Sequence, residues 1–266
     1  MCFILISCNP FLDDILNAGK GDKKEIWLGY TSVDEAIAWL KTQPTGTTPN
    51  YPTTLALNIP LGAMPSDQWQ ALLSALAAIN PAKYVTLDLS DCAMGSTTFD
   101  PDNTITTGKD RIVSLVLPKQ TQIIADGYSY PTFNNFIELT QVSGANVKTI
   151  GENAFENSPK LTSVSMPKAE VVASSAFYGC TSLSSVYIPS AIYIQSYAFA
   201  NTGNDPLIIT LGINPPNLGS DIFYGVTGTP KQVTLRVPNA GMSSYDATWQ
   251  NDFINSGNVV ITVEPY

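Results

Sequence analysis

The chain has 266 residues, of which 44% are hydrophobic and only 13% are charged, and its formal net charge at pH 7 is −9. Its 13 basic residues are spread thinly, so it lacks the basic footprint that non-specific binding to nucleic acid or to anionic lipid head groups requires. There is no histidine, and the four cysteines show no CxxC spacing, which excludes Ser-His-Asp and Cys-His catalysis and disfavours zinc and redox motifs. We therefore expect no cofactor, no metal and no enzyme activity.

The first residues carry the pattern of a lipoprotein signal. Residues 5–8 read Leu-Ile-Ser-Cys, which fits the bacterial lipobox. The segment lacks a basic start and is shorter than a complete signal peptide, so we expect the true start to lie upstream of Met1. We assign residues 1–8 to a truncated signal remnant in which Cys8 is lipidated, and 9–30 to a tether. The alternative is a buried N-terminal strand. No later apolar run is long enough to span a membrane, so membrane contact is expected only through the lipid.

Residues 31–108 are predicted to form longer repeats that contain helices. Ser32 and Glu35 have the spacing of a capping box, and apolar residues at helical spacing follow them. The predicted elements are helices over 32–43 and 66–79 and strands over 54–57 and 85–89. The two strands lie 32 residues apart with a helix between them, as in a strand-plus-helix repeat.

The middle of the chain has a fixed period of 22 residues. It is clearest in the pairs Ala154-Phe155, Ala176-Phe177 and Ala198-Phe199. A period in the twenties indicates a solenoid, in which each repeat buries its apolar face by stacking on its neighbours. We expect the three phenylalanines to stack as a buried column. Strand-like segments in step with the repeats are predicted at 113–117, 139–142, 161–164, 183–186, 211–213 and 235–237. Such a regular, extended surface favours binding over catalysis.

Residues 241–266 are predicted to cap the stack, because the outer face of a terminal repeat meets water. Ser243 or Ser244 is expected to begin a short helix, and a final strand is expected at 259–263. The aromatic face of that helix consists of Tyr245, Trp249 and Phe253.

Residues 147–167 read Val-x-x-Ile-Gly-x-x-Ala-Phe, followed by Leu-x-x-Val-x-Met-Pro. The next unit keeps the same pattern and adds Phe-x-Gly-Cys at 177–180. This pattern resembles the BspA-type leucine-rich repeat, and the resemblance places such repeats at 109–240. Cys180 falls at the cysteine position of that family, and we interpret it as a small buried apolar side chain.

The resemblance implies an α/β solenoid: a right-handed leucine-rich-repeat superhelix of short strands, with N-terminal helical repeats and a C-terminal cap. Many members of that family are bacterial surface proteins associated with adhesion to host or neighbouring-cell proteins. The motif contains no catalytic residues. The expected protein is therefore lipid-anchored in a bacterial cell envelope, surface-exposed or secreted, with an extracellular protein as its partner.

The strand residues that alternate with buried ones give a candidate binding face. The predicted row is Asp88, Val116, Ser143, Ser165, Tyr187, Gly212 and Arg236. Most of these side chains are small, and Tyr187 and Arg236 are the large candidate anchors, since Tyr and Arg dominate binding hot spots. The alternative is that Tyr187 is simply a good strand former.

Other functions remain open at this point. Tyr187 could stack on a glycan, and the protein could be a structural envelope component without a soluble ligand. The aspartates between residues 88 and 110 lack the regular spacing of a calcium loop. Glu138, Glu152 and Glu170 could form a carboxylate pair in a hydrolase. If the row does not bind, the irregular loops at 91–110 and 119–136 are the next candidates.

Overall fold

A nine-stranded parallel sheet, called the main sheet here, runs the length of the protein. The computed structural model describes residues 29–102, 104–203, 206–225, 230–254 and 259–266. The predicted signal remnant with Cys8, and the tether except for its last two residues, lie outside this description. In spatial order the strands are Thr53–Ala56, Val85–Asp88, Ile112–Val116, Gln141–Ser143, Ser163–Ser165, Ser185–Tyr187, Leu207–Thr210, Lys231–Val237 and Val259–Pro265. Neighbours in the sheet follow one another in chain order from coil to coil, as a solenoid requires.

Each middle coil also contributes a short strand to a second, six-stranded parallel sheet. In chain order these strands are Thr98–Phe99, Ile123–Ile124, Thr149–Ile150, Val171–Val172, Tyr193–Ile194 and Asn217–Leu218. A third, two-stranded sheet pairs Pro60–Gly62 with Ala93–Met94. The predicted leucine-rich-repeat solenoid is therefore confirmed.

Helices occur only towards the two ends of the described chain. The helices are α1 (Val33–Thr42), α2 (Asp67–Ala77) and α3 (Ala247–Ile254), and 3₁₀ turns cover Lys109–Arg111 and Asn239–Ser244. The Ser32 hydroxyl accepts the Glu35 N–H at 3.2 Å, as the capping pattern predicts. None of the described helices is long and apolar enough to cross a membrane.

The predicted start of the cap helix is wrong. Ser243 and Ser244 lie in the preceding 3₁₀ turn, and Tyr245 comes before the helix. Asp246 caps the helix instead, because its carboxylate accepts the Trp249 N–H at 3.0 Å. Trp249 and Phe253 still lie on one helical face, with ring centroids 5.0 Å apart.

One strand position is also wrong. The strand after Phe199 covers Leu207–Thr210, not 211–213. Leu207, Ile209 and Leu211 are all buried. The alternation of buried and outward residues is therefore compatible with a strand centred on any of the three. Hydrogen bonding decides the register, since Ile209 pairs with Val186.

The phenylalanine column is confirmed, and it is longer than the repeats predict. Phe155, Phe177 and Phe199 are fully buried, and their rings lie parallel with centroids 5.4 and 5.3 Å apart. The complete aromatic column runs through Trp69, Phe99, Phe133, Phe155, Phe177, Phe199, Phe223 and Phe253, with successive centroids 4.4 to 6.2 Å apart. It joins α2, the repeats and α3 into one core.

Two positions in the turns of the middle repeats have left-handed backbone conformation. From Phe133 to Phe223, the residue two positions after the column phenylalanine is Asn or Gly, which tolerate positive φ. These residues are Asn135, Asn157, Gly179, Asn201 and Gly225. Two residues before it, the corresponding set is Asn153, Ser175, Tyr197 and Asp221. Tyr197, with φ of 60°, is the bulky exception, because a large side chain rarely adopts this conformation.

Three buried lysines satisfy backbone carbonyls in irregular parts of the stack. Lys231 donates to the carbonyls of Thr202 and Gly203 at 3.2 Å each. Lys109 donates to the carbonyls of Asp102 and Asn134. Lys83 donates to the carbonyls of Gln43 and Thr45. Burial lowers the pKa of the Lys109 ammonium to about 8. The three ammonium groups thus supply hydrogen bonds to buried backbone carbonyls.

Cys180 is fully buried, as expected, and its thiol donates to the carbonyl of Phe155 at 3.0 Å. Burial raises its pKa from 9.0 to about 12. Between these two values the folded state keeps a proton that the unfolded state has lost, so stability falls as pH rises.

We therefore expect Cys180→Ala to flatten the alkaline loss of stability between pH 9 and pH 11 by up to about 1.4 kcal/mol per pH unit. Urea unfolding at several pH values measures this difference. Cys92→Ala should flatten the profile in the same direction, since burial also raises the Cys92 pKa, to about 11. Parallel pH profiles for wild type and Cys180→Ala would show that the thiol is not protected by the fold.

Candidate interaction surface

The main-sheet face places the predicted binding residues in one row. Pairing of neighbouring strands aligns Asp88 with Val116, Val116 with Ser143, Ser143 with Ser165 and Ser165 with Tyr187. Tyr187 then aligns with Thr210, and Thr210 with Arg236. Gly212, which was predicted to lie in the row, is two residues further along the chain, and Thr210 takes its place. The error follows from the misplaced strand after Phe199.

The row continues one strand further at each end. The full set, called the outward row here, is Ala56, Asp88, Val116, Ser143, Ser165, Tyr187, Thr210, Arg236 and Glu264. Its members are half-buried up to Ser165, while Tyr187, Arg236 and Glu264 are exposed. The face therefore carries partly buried side chains towards its N-terminal end and large, exposed side chains towards its C-terminal end.

A second row of hydroxyl-rich residues lies two positions earlier on the same strands. Its members are Thr54, Thr86, Ser114, Gln141, Ser163, Ser185, Ile208, Thr234 and Thr262. Thr86, Ser114 and Ser163 are recessed, and the buried Ser163 hydroxyl has no hydrogen-bond partner within the described chain. Ile208, in contrast, is 40% exposed and lies on the strand between those of Tyr187 and Arg236.

Comparison with protein families identifies these coils. A family model described as a BspA type leucine rich repeat region, with six copies, matches residues 106–229. These residues are BspA-type leucine-rich repeats. The prediction of 109–240 from the sequence overlaps almost all of this region. No curated protein matches the chain. Repeats of this family indicate a scaffold for interaction or a surface role, and a leucine-rich-repeat solenoid is typically a binding scaffold.

Tyr266 joins the two predicted anchors at the C-terminal end of the BspA-type stack. Its side chain is 48% exposed and its hydroxyl donates to the carbonyl of Leu211 at 3.4 Å. Burial and the nearby Tyr187 raise the pKa of Tyr266, while Arg236 lowers it. Tyr266 is therefore within electrostatic reach of both Tyr187 and Arg236. The repeat pattern could not predict this, because Tyr266 lies beyond the last repeat.

The acidic residues weighed as calcium ligands make local contacts instead. The carboxylates of Asp88, Asp100 and Asp102 accept backbone N–H groups two residues ahead, as in turns. Asp91 and Asp110 lie in ion pairs with Lys119 and Arg111. Within the part of the chain that the structure describes, no three Asp, Glu, Cys or His side chains form a group that could hold a metal ion.

The three glutamates considered for hydrolysis lie on different coils. The Glu138 carboxylate is 2.7 Å from the Lys160 ammonium. Glu152 lies in the turn after the Thr149–Ile150 strand, and Glu170 lies just before the Val171–Val172 strand, both exposed. Of the two loops kept as alternatives, 119–136 carries two exposed tyrosines, Tyr128 at 89% and Tyr130 at 56%.

Proposed function

We propose that this protein binds an extracellular protein partner through the C-terminal half of the main-sheet face. The supporting observation is the convergence of Tyr187, Arg236 and Tyr266, with Ile208 beside them, on an otherwise small-side-chain surface. Tyrosine and arginine are enriched at the centres of protein interfaces, where they lose water on binding.

The size of the face favours a macromolecular partner over a small molecule. Nine parallel strands at about 4.8 Å spacing span roughly 38 Å. A standard interface buries roughly 800 Å² on each side, so a contact patch about 30 Å across fits along the row. The last two strands have seven residues each, which widens the face next to the anchors.

The proposal places the protein on the outside of a bacterial cell envelope, tethered by lipid on Cys8, with adhesion to a host or neighbouring cell as its role. This location rests on the lipobox pattern at residues 5–8 and on the resemblance of the repeats to those of surface proteins. The same proposal treats the protein as a non-enzymatic scaffold.

The double substitution Tyr187→Ala, Arg236→Ala tests the binding face. We expect attachment to an immobilised panel of matrix and plasma glycoproteins, measured by surface plasmon resonance, to weaken at least tenfold, which corresponds to about 1.4 kcal/mol. The melting temperature should hardly change, because both side chains point away from the core.

Thr54→Ala is the control, since it alters the same face at its other end, about seven strands from Arg236. We expect it to bind like wild type. Unchanged binding by the double variant, an equal loss in the control, or no binding of wild type to any protein of the panel would contradict the proposal.

A further inference from the structure

A groove separates the cap helix α3 from the C-terminal end of the second sheet. Its volume is about 740 Å³, and it is lined by residues 215–221 on one side and by Trp249 and Asp252 on the other. It lies on different elements from the main-sheet face, and the function proposed above makes no use of it.

Packing fixes the shape of both walls. The Trp249 indole N–H donates to the carbonyl of Pro216 at 2.9 Å, and its ring stacks on Phe253. On the other wall, the Gly219 N–H donates to the carbonyl of Ile194 at 2.8 Å. A Cβ on Gly219 would lie 2.3 Å from the Ser196 nitrogen, so only glycine lets the segment pack this closely. The groove is therefore pre-formed, which lowers the ordering cost of binding.

Two exposed tyrosines, Tyr197 and Tyr224, lie next to the Ser220–Asp221 end of the groove, outside its lining. Asp221 follows Ser220, whose carbonyl accepts the Tyr197 N–H at 3.2 Å from the coil beneath. The rings of Tyr197 and Tyr224 meet edge to face, 5.7 Å apart, and are 37% and 57% exposed. Tyr197 keeps its left-handed backbone where equivalent turns use Asn153, Ser175 and Asp221. A strained aromatic that the core does not need indicates that its side chain serves another purpose.

The chemistry of the lining selects a class of ligand. Exposed faces of Tyr and Trp can stack on the C–H faces of sugar rings, while carboxylate, amide and hydroxyl groups bond to sugar hydroxyls. Asp221, Asp252, Asn217 and Ser220 supply those polar groups. Among the described residues that line the groove there are two carboxylates and no Lys or Arg, so the lining disfavours sulfated and uronic acid polymers.

We infer that this groove binds a neutral oligosaccharide, with Trp249 at one end and the Tyr197–Tyr224 pair at the other. A few placed polar groups among apolar walls are the usual composition of a pre-formed ligand site. This glycan site is separate from the protein-binding face, so either can exist without the other.

Affinity electrophoresis in gels containing laminarin, xyloglucan, galactomannan or glycogen tests the inference on the full chain. We expect retardation by at least one of these neutral polymers and none by heparin or polygalacturonate. Tyr224→Ala and Tyr197→Asn should each weaken that binding at least tenfold. Tyr197→Asn should also keep or raise the melting temperature, because Asn suits the left-handed turn, and this separates loss of binding from loss of folding.

Tyr128→Ala is the control, because it removes a tyrosine that is still more exposed, at 89%, from a distant coil. We expect it to bind like wild type. Absence of binding to all four neutral polymers, full binding by Tyr224→Ala and Tyr197→Asn, or an equal loss in Tyr128→Ala would overturn the inference. Retention of a hexa-arginine peptide in place of the polysaccharides would assign the groove to cationic ligands instead.

Discussion

Phe177→Ala is expected to lower the free energy of unfolding by about 3–5 kcal/mol, the range for truncating a buried aromatic in a packed core. Phe177 has no exposed surface, and its ring contacts Phe155 and Phe199 at 5.4 and 5.3 Å in parallel stacks. Its removal opens a cavity between two coils whose backbones are tied by hydrogen bonds, so the coils cannot close over the gap. Urea unfolding followed by circular dichroism measures the loss.

Tyr178→Ala is the matched control for this result. It truncates the adjacent residue, which is only half-buried and lies outside the aromatic column. We expect it to cost less than about 1 kcal/mol. A cost below roughly 1 kcal/mol for Phe177→Ala as well would mean that the column does not support the stack.

Gly108→Ala is expected to cost roughly 2–4 kcal/mol through two separate effects. Gly108 has φ of 78°, where an L side chain is unfavourable, and an added Cβ would lie 2.0 Å from the carbonyl oxygen of Leu73. That oxygen belongs to the backbone of α2, so the whole helix would have to move. The cost should appear in the same urea titration.

Gly62→Ala separates the two effects. Gly62 has φ of 71°, but the nearest described atom to an added Cβ would be the Cβ of Ser66, at an ordinary contact distance of 3.8 Å. We expect the left-handed penalty alone, about 1–2 kcal/mol. Equal costs at the two glycines would show that Gly108 does not lie against α2 as closely as described.

The repeats were predictable because one buried position is filled by the same residue in coil after coil. The pairs Ala154-Phe155 and Ala176-Phe177 gave both the period and the column. Phe133 also lies 22 residues before Phe155, but Thr132 precedes it. Thr132 fits this buried position because its hydroxyl donates to the carbonyl of Ala125 at 2.6 Å, a contact that the pattern cannot reveal.

The ends of the column could not be predicted from the period. Trp69 belongs to α2 and Phe253 to α3, so their rings reach the column from helices with no repeat spacing. The buried lysines were missed for a related reason. Lys231 is buried because its ammonium group donates to the carbonyls of Thr202 and Gly203. Which carbonyls accept such a bond depends on how the coils stack, so the repeat pattern does not show it.

The candidate sites also differ in whether the repeat pattern could predict them. The outward row followed from strand alternation, and only its member after Phe199 was wrong, because the alternating residues there fit more than one register. Tyr266 and the groove around Trp249 depend on how the tail folds back onto the stack. Non-repeating segments bring these residues together, so no periodic pattern marks them.

Binding of two ligand classes by two variants tests the central claim, that this solenoid acts by binding through separate surfaces. One is the double variant with Tyr187→Ala and Arg236→Ala together, and the other is the single variant Tyr224→Ala. Each is measured against the glycoprotein panel and against the neutral polysaccharides. We expect the double variant to lose only protein binding and Tyr224→Ala to lose only polysaccharide binding, each at least tenfold. Retention of both activities by both variants, or loss of both activities by either folded variant, would contradict this claim.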